Sequence, residues 1–210
     1  HQVDFAQRLP GGGWTLKSAT DWPHPSATPH VLHPRADGAL DSTPEPGDDA
    51  GVVVNDLANL NVRNDAILNE IARNFPGMGD VVQSVPENGT PLDTRSYASA
   101  PLDTPLEIVG APVLELEMAS TSVDRFQVSA KLFDVPPAGE ARMIGRGCVS
   151  LPGGTAGAKL ELWPNAHVFS AGHRIVLAIS AVDFPVFKPD REPQVTTILR
   201  DTKLVLPEIP

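Results

Sequence analysis

The chain has 210 residues and a formal net charge of −10, with 16 Lys and Arg against 26 Asp and Glu. That balance argues against a nucleic-acid backbone or an anionic membrane as partner, because both select basic surfaces, and no apolar run approaches the ~20 residues of a membrane-spanning helix. A hydrophobic fraction of 41% supplies a sizeable core without disulfides, and the single cysteine, Cys148, has no partner in the chain. The 22 prolines and 17 glycines are spread between apolar runs, which predicts many short strands joined by turns rather than disorder. No signal-peptide pattern opens the sequence. It begins at His1 rather than Met, so a processed chain or an excised domain is expected, with any localisation signal upstream.

In chain order, residues 1–40 read as a long irregular arm, rich in Pro and Gly, leading into a single domain that spans 1–210. Trp14 and Trp22 interrupt the arm and are expected to anchor it on the domain surface, with ligand stacking the weaker reading. His30 to His33 is a candidate short strand, ended by Pro34 and turned by Asp37 and Gly38. His24, His30 and His33 raise the question of a metal. Prolines flank the set and no Cys or carboxylate stands at a recognised ligand spacing, so solvated histidines are expected and no metal or cofactor is assigned.

Residues 41–90 read as a loop plus a helical insertion. Asp41 to Gly51 is acidic and turn-rich, an exposed loop. The spacing of Leu60, Ile67, Leu68, Ile71 and Phe75 predicts one helix within Leu57 to Phe75, capped by Asn61 or Asn64 and stopped by Pro76 and Gly77. Val81 to Val85 is a candidate strand, and Asn88 with Gly89 a turn that Pro91 weakens as a hairpin.

From Ser96 onward the β character is consistent. Leu106 to Val109, Val113 to Met118 and Phe126 to Phe133 are predicted strands, the last two alternating apolar and polar positions. Arg142 to Leu151 follows, with Gly145 and Gly147 permitting a bulge or a close backbone approach. Lys159 to Leu162 and Val195 to Leu206 complete the set. The central strand is Arg174 to Ser180, with Ile175, Leu177 and Ile179 on its core side, a turn at Gly172 before it, and Phe184 and Pro185 at its exit. About eight to ten strands at spacings near those of sandwiches, with no βαβ alternation, predict an all-β antiparallel β-sandwich of jelly-roll type with one inserted helix.

Chemistry is sparse. No G-x-S-x-G turn, phosphate-binding loop or dinucleotide fingerprint occurs. Ser120, Asp134 and His173 assemble into a triad on paper, but a triad is recognised by geometry rather than inventory, and no catalytic residue is assigned. Cys148 reads as a buried, inert thiol. Asp124, Asp134, Asp183 and Asp190 lie at strand ends without a calcium-loop spacing and are expected to make local turn hydrogen bonds.

Several segments together carry a family resemblance: Tyr97 to Leu102 (YASAPL), Ile108 to Pro112 (IVGAP), Lys131 to Val135 (KLFDV), Gly145 to Gly147 (GRG), Ala166 to Ile175 (AHVFSAGHRI) and Asp183 to Pro185 (DFP). In this order and spacing the run resembles the C-terminal, non-catalytic β-sandwich domain of the X-prolyl dipeptidyl peptidase and cocaine esterase family of serine hydrolases. Trp22, Pro23, Leu32 and Gly38 to Leu40 resemble the segment by which that family enters the domain. The helical stretch 57–75 departs from the pattern as an insertion. The resemblance implies a galactose-binding-type jelly roll, and a catalytic α/β-hydrolase domain as partner, in cis or as a separate chain. It implies no catalytic position within these residues. A supporting domain of a serine hydrolase is therefore the first expectation, a carbohydrate- or ligand-binding module the second, and a free-standing hydrolase the third. The exposure of Trp14, Trp22 and Trp163 separates the first two.

Overall fold

The computed structural model describes residues 2–9, 13–44, 47, 49–55, 94–181, 183, 186–187 and 194–210. The molecule is organised around one long antiparallel hairpin, Val113–Val135 paired with Arg142–Glu161. Numbered in chain order these are β8 and β9. Before them come β1 (Val3–Arg8), β2 (Trp14–Ala19), β3 (Thr28–Pro34), β4 (Leu40–Asp41), β5 (Asp49–Asn55), β6 (Thr94–Ala98) and β7 (Leu106–Gly110). After them come β10 (Asn165–Phe169), β11 (Arg174–Ser180), β12 (Gln194–Leu199) and β13 (Lys203–Ile209). Every strand-to-strand ladder is antiparallel, and the described residues contain no helix.

The sequence suggests two strands in each half of this hairpin, and the structure joins them. A register shift between Ser120 and Arg125 lets β8 bend without ending. Its first half pairs with β13 and β12, its second half with β11, which in turn pairs with β6. One long strand thus serves both leaves of the sandwich. Its inward positions keep one parity throughout: Leu114, Leu116 and Met118 before the bend, Phe126, Val128, Ala130 and Leu132 after it, all fully or almost fully buried. Gly147 lets the start of β9 pass close to its own end, since a Cβ there would lie 2.7 Å from the Glu161 carbonyl oxygen.

The central strand is buried more completely than its alternation implies. Ile175, Leu177 and Ile179 enter the main core, while Val176 and Ala178 pack with Phe133 in a second, smaller cluster on the opposite face. Both faces are covered, so the polar-looking side is apolar by contact and only Arg174 is exposed.

The arm is the main correction. The described part of residues 1–40 is not an irregular arm: β1 and β2 form a two-stranded antiparallel sheet, registered from Val3 opposite Ala19 to Arg8 opposite Trp14. Downstream, β3 pairs with β13 through Leu32 opposite Leu204. The density of Gly and Pro around short alternating runs hid these strands; the glycines mark hairpin turns, as at Gly13, whose φ is 83°. Part of the acidic stretch also extends as β5, against β12. The predicted helix 57–75, the candidate strand 81–85 and turn 88–89, Phe184, Pro185 and Asp190 lie outside the described residues.

Candidate functional site

Two buried carboxylates, one near each end of β11, gather the polar groups that the sequence singles out. Asp134 ends β8, opposite Ile175 and Arg142. His167 comes from β10, and His173 from the turn just before β11, where Gly172 takes a φ of +81° and the His173 amide donates to the Ser170 carbonyl at 3.1 Å. His167 Nε2 lies 2.9 Å from Asp134 Oδ2, and His173 Nδ1 lies 2.7 Å from Oδ1. Burial pushes the Asp134 carboxyl upward, but the hydrogen bonds and charges of the two imidazoles outweigh it and hold the group below its ordinary value. The ionised carboxylate therefore orients both rings.

This arrangement contains two of the three residues of the triad drawn from the sequence. The third is elsewhere. Ser120 sits before the β8 bulge, where its Oγ accepts from the Ser122 amide at 3.2 Å and lies 3.2 Å from Thr196 Oγ1. Among the described residues no serine or cysteine hydrogen-bonds to either ring, and Ser120 makes its contacts elsewhere. Asp134 and the two histidines tie three elements together. The same turn is clamped from the other side: the Gly172 amide donates to the Leu102 carbonyl, and the Leu102 amide to the His173 carbonyl, both at 2.8 Å. Arg174 donates to the Ser99 carbonyl at 2.6 Å and the Ile175 amide to Ser99 Oγ at 3.0 Å. The YASAPL and GHRI segments are thus two halves of one lock.

Asp183 marks the other end of β11. Its side chain is fully buried, and its Oδ1 lies 2.7 Å from Lys131 Nζ and 3.2 Å from Arg146 Nη2. Lys131 and Arg146 face each other across β8 and β9. Like charges directly opposed destabilise a sheet, and the carboxylate between them relieves that repulsion. Arg146 also lies 5.8 Å from the centroid of the Trp163 ring. Asp134 and Asp183 were both expected to make local turn hydrogen bonds; instead each joins residues far apart in sequence, because their side chains point inward at strand ends. Nothing short of strand register discloses that Lys131 opposes Arg146.

The remaining candidates disperse. His24 Nδ1 accepts from the Ser26 amide at 3.2 Å, and His30 Nδ1 pairs with Glu208 at 2.9 Å. His33 Nδ1 is buried without a hydrogen-bond partner among the described residues, and burial, then the charges of Lys203 and Arg35, hold this ring below its ordinary pKa. Among the described residues no group of three or more metal-ligating side chains converges. Cys148 is half-buried and accepts from Gln127 Nε2 at 2.9 Å. Trp22 is partly buried edge-on against Phe5, an anchor as expected. Trp14 is not an anchor: it is 62% exposed, and Trp163 is 52% exposed.

Strands from both halves of the chain close one core, and the polar clusters join strand ends, which defines an antiparallel β-sandwich. Residues 2–204 match the family model described as the X-Pro dipeptidyl-peptidase C-terminal non-catalytic domain, and the chain belongs to that family. A protein of Mycobacterium bovis provisionally named a serine esterase is 29% identical over 200 aligned residues, covering 80% of this chain and 30% of that protein. The chain therefore spans about a third of the length of the curated relatives it matches. Among solved structures, an aminopeptidase from a marine-sediment Thaumarchaeota archaeon superposes with a TM-score of 0.77 at 18% identity, over 97% of this chain and 40% of that one. A CocE/NonD family hydrolase from Staphylococcus aureus gives 0.69 at 13% identity, over 99% and 41%. An α-amino acid ester hydrolase gives 0.67 at 17%, over 87% and 36%. These likenesses establish the fold.

Proposed function

We propose that residues 1–210 act as one supporting domain of a serine hydrolase of the esterase or X-prolyl peptidase type, inert alone and packed on a catalytic α/β-hydrolase domain whose substrate side it helps to shape. The observation that carries this reading is the family match across residues 2–204. The Asp134 cluster supports it, since the residues that resemble a triad hold strand ends instead. A single unit is supported by the pairing of β3 with β13 and by a core cluster that runs from Leu32 to Leu206.

The test is an esterase and X-prolyl amidase assay on the purified 210-residue chain and on the full-length gene product, each with and without a serine-directed covalent inhibitor. No turnover and no labelling in the chain, with inhibitor-sensitive turnover in the full product, is the expected result. Inhibitor-sensitive turnover by the pure chain would overturn it. A second reading, a carbohydrate-binding face, is favoured by the exposure of Trp14 and Trp163. Quenching of their fluorescence by galactose or an oligosaccharide would support it.

A further inference from the structure

The outer face of the β1–β2 hairpin is a surface without a partner among the described residues. Neither strand pairs with any strand but the other. The inner face is docked: Gln7 and Ala19 are buried, Phe5 lies edge-on to Trp22, and Lys17 Nζ binds Glu107 at 2.7 Å. Alternation then sends Ala6, Trp14 and Leu16 outward, with Asp4 and Ser18, which hydrogen-bond each other, at one edge of the same face. Ala6 stands directly opposite Leu16, and Trp14 opposite Arg8, whose guanidinium lies 5.5 Å from the indole centroid. Trp14 is 62% and Leu16 75% exposed. Two large apolar side chains side by side on one short sheet make a patch of the kind that marks interfaces, and Trp is enriched among the residues that carry binding energy. Val123 and Trp163, also exposed, belong to separate parts of the long β8–β9 hairpin and its exit.

From this geometry we infer that Ala6, Trp14 and Leu16 form the seam with the α/β-hydrolase domain. The inference rests on the function proposed above and adds where that domain sits. The occupant follows from the proteins this chain matches, in which 59% to 70% of the length lies outside the shared region, counting from coverages of 41% and 30%. A two-stranded hairpin is marginal by itself. One docked by a single face, with an exposed Trp and Leu at the centre of the other, gains from a second layer, and an adjoining catalytic domain supplies one. Arg8 borders the patch at one end and Asp4 with Ser18 at the other, so the rim is polar and of mixed charge around an apolar centre.

Hydrogen exchange followed by mass spectrometry tests this, on the 210-residue chain at two concentrations and on the full-length gene product. Amides of residues 3–19 should exchange severalfold more slowly in the full product than in the chain, and Leu16→Glu should restore fast exchange there while leaving the β8–β9 amides protected. If the product contains the hydrolase domain but protection falls elsewhere, as around Val52 and Val195 or at Trp163, the seam is misplaced although the proposed function survives. Protection in the isolated chain that grows with concentration would mean that a second copy occupies the face, and the inference fails. A full-length product with no hydrolase domain and no turnover would remove the proposed function, and the seam with it.

Discussion

The two hairpins of this molecule are built by the same alternation and used in opposite ways. Along β8 and β9 the inward positions, from Leu114 to Leu132, are buried by strands of the chain's own two leaves. Along β1 and β2 the inward face is only partly buried, through Gln7 and Ala19, and the outward face sets Trp14 and Leu16 in solvent between Arg8 at one end and the Asp4–Ser18 pair at the other. The long hairpin needs the whole domain and nothing else. The short one presents apolar area at Trp14 and Leu16 that remains exposed, the feature on which the proposed seam rests.

The sharpest break of this contrast comes from the long hairpin. Phe126→Ala should cost about 3–5 kcal/mol of unfolding free energy, because a fully buried aromatic leaves a cavity between the leaves. Asp183→Asn should also destabilise, by up to about 3–5 kcal/mol, because it removes the charge of a buried carboxylate that Lys131 and Arg146 both reach. Denaturant unfolding measures both, and wild-type midpoints would contradict the burial described. Gly172→Val should cost about 1–2 kcal/mol through backbone conformation alone, since the left-handed φ of +81° is the difficulty and the nearest atom to a Cβ, in Pro137, lies 3.5 Å away. An unchanged melting temperature would argue against that turn.

The Asp134 lock has a pH signature. Its folded pKa lies below the unfolded value of about 3.9, so the unfolded state takes up the proton first as pH falls. The stability it adds is present above pH ~4 and is lost as pH drops through the folded value. Asp134→Asn should therefore lower the melting temperature at pH 7 and converge on the wild type once the pH falls below the folded value; a gap that widens in acid would contradict the sign. The smallest effect belongs to the short hairpin. Trp14→Ser with Leu16→Ser should change the stability of the isolated chain by no more than ~0.5 kcal/mol, because both side chains are already largely in water. A large loss would mean that the outer face is part of this domain's own core.

Much of the sandwich was legible before any coordinates. Alternation at 126–133 and 174–180 marks strands because a sheet has two faces and only one side of each residue pair meets the core. The arm was misread because its strands are short and flanked by the very residues that signal loops, and only pairing shows that Val3–Arg8 and Trp14–Ala19 face each other. Of the candidate cluster, Asp134 and His173 were visible as residue types, but His167, Lys131 and Arg146 acquired roles only through register.

By itself the sequence determined the all-β class, the central strand, the turn at Gly172 and the family, since these rest on local periodicity, backbone preference and ordered motifs. The tertiary structure decided which ions meet, that β8 continues through its bend into both leaves, that the central strand is buried on both sides, and that Trp14 faces outward. Those depend on contacts between residues distant in the chain, where the energy of a charge or an indole is set by what surrounds it rather than by what precedes it.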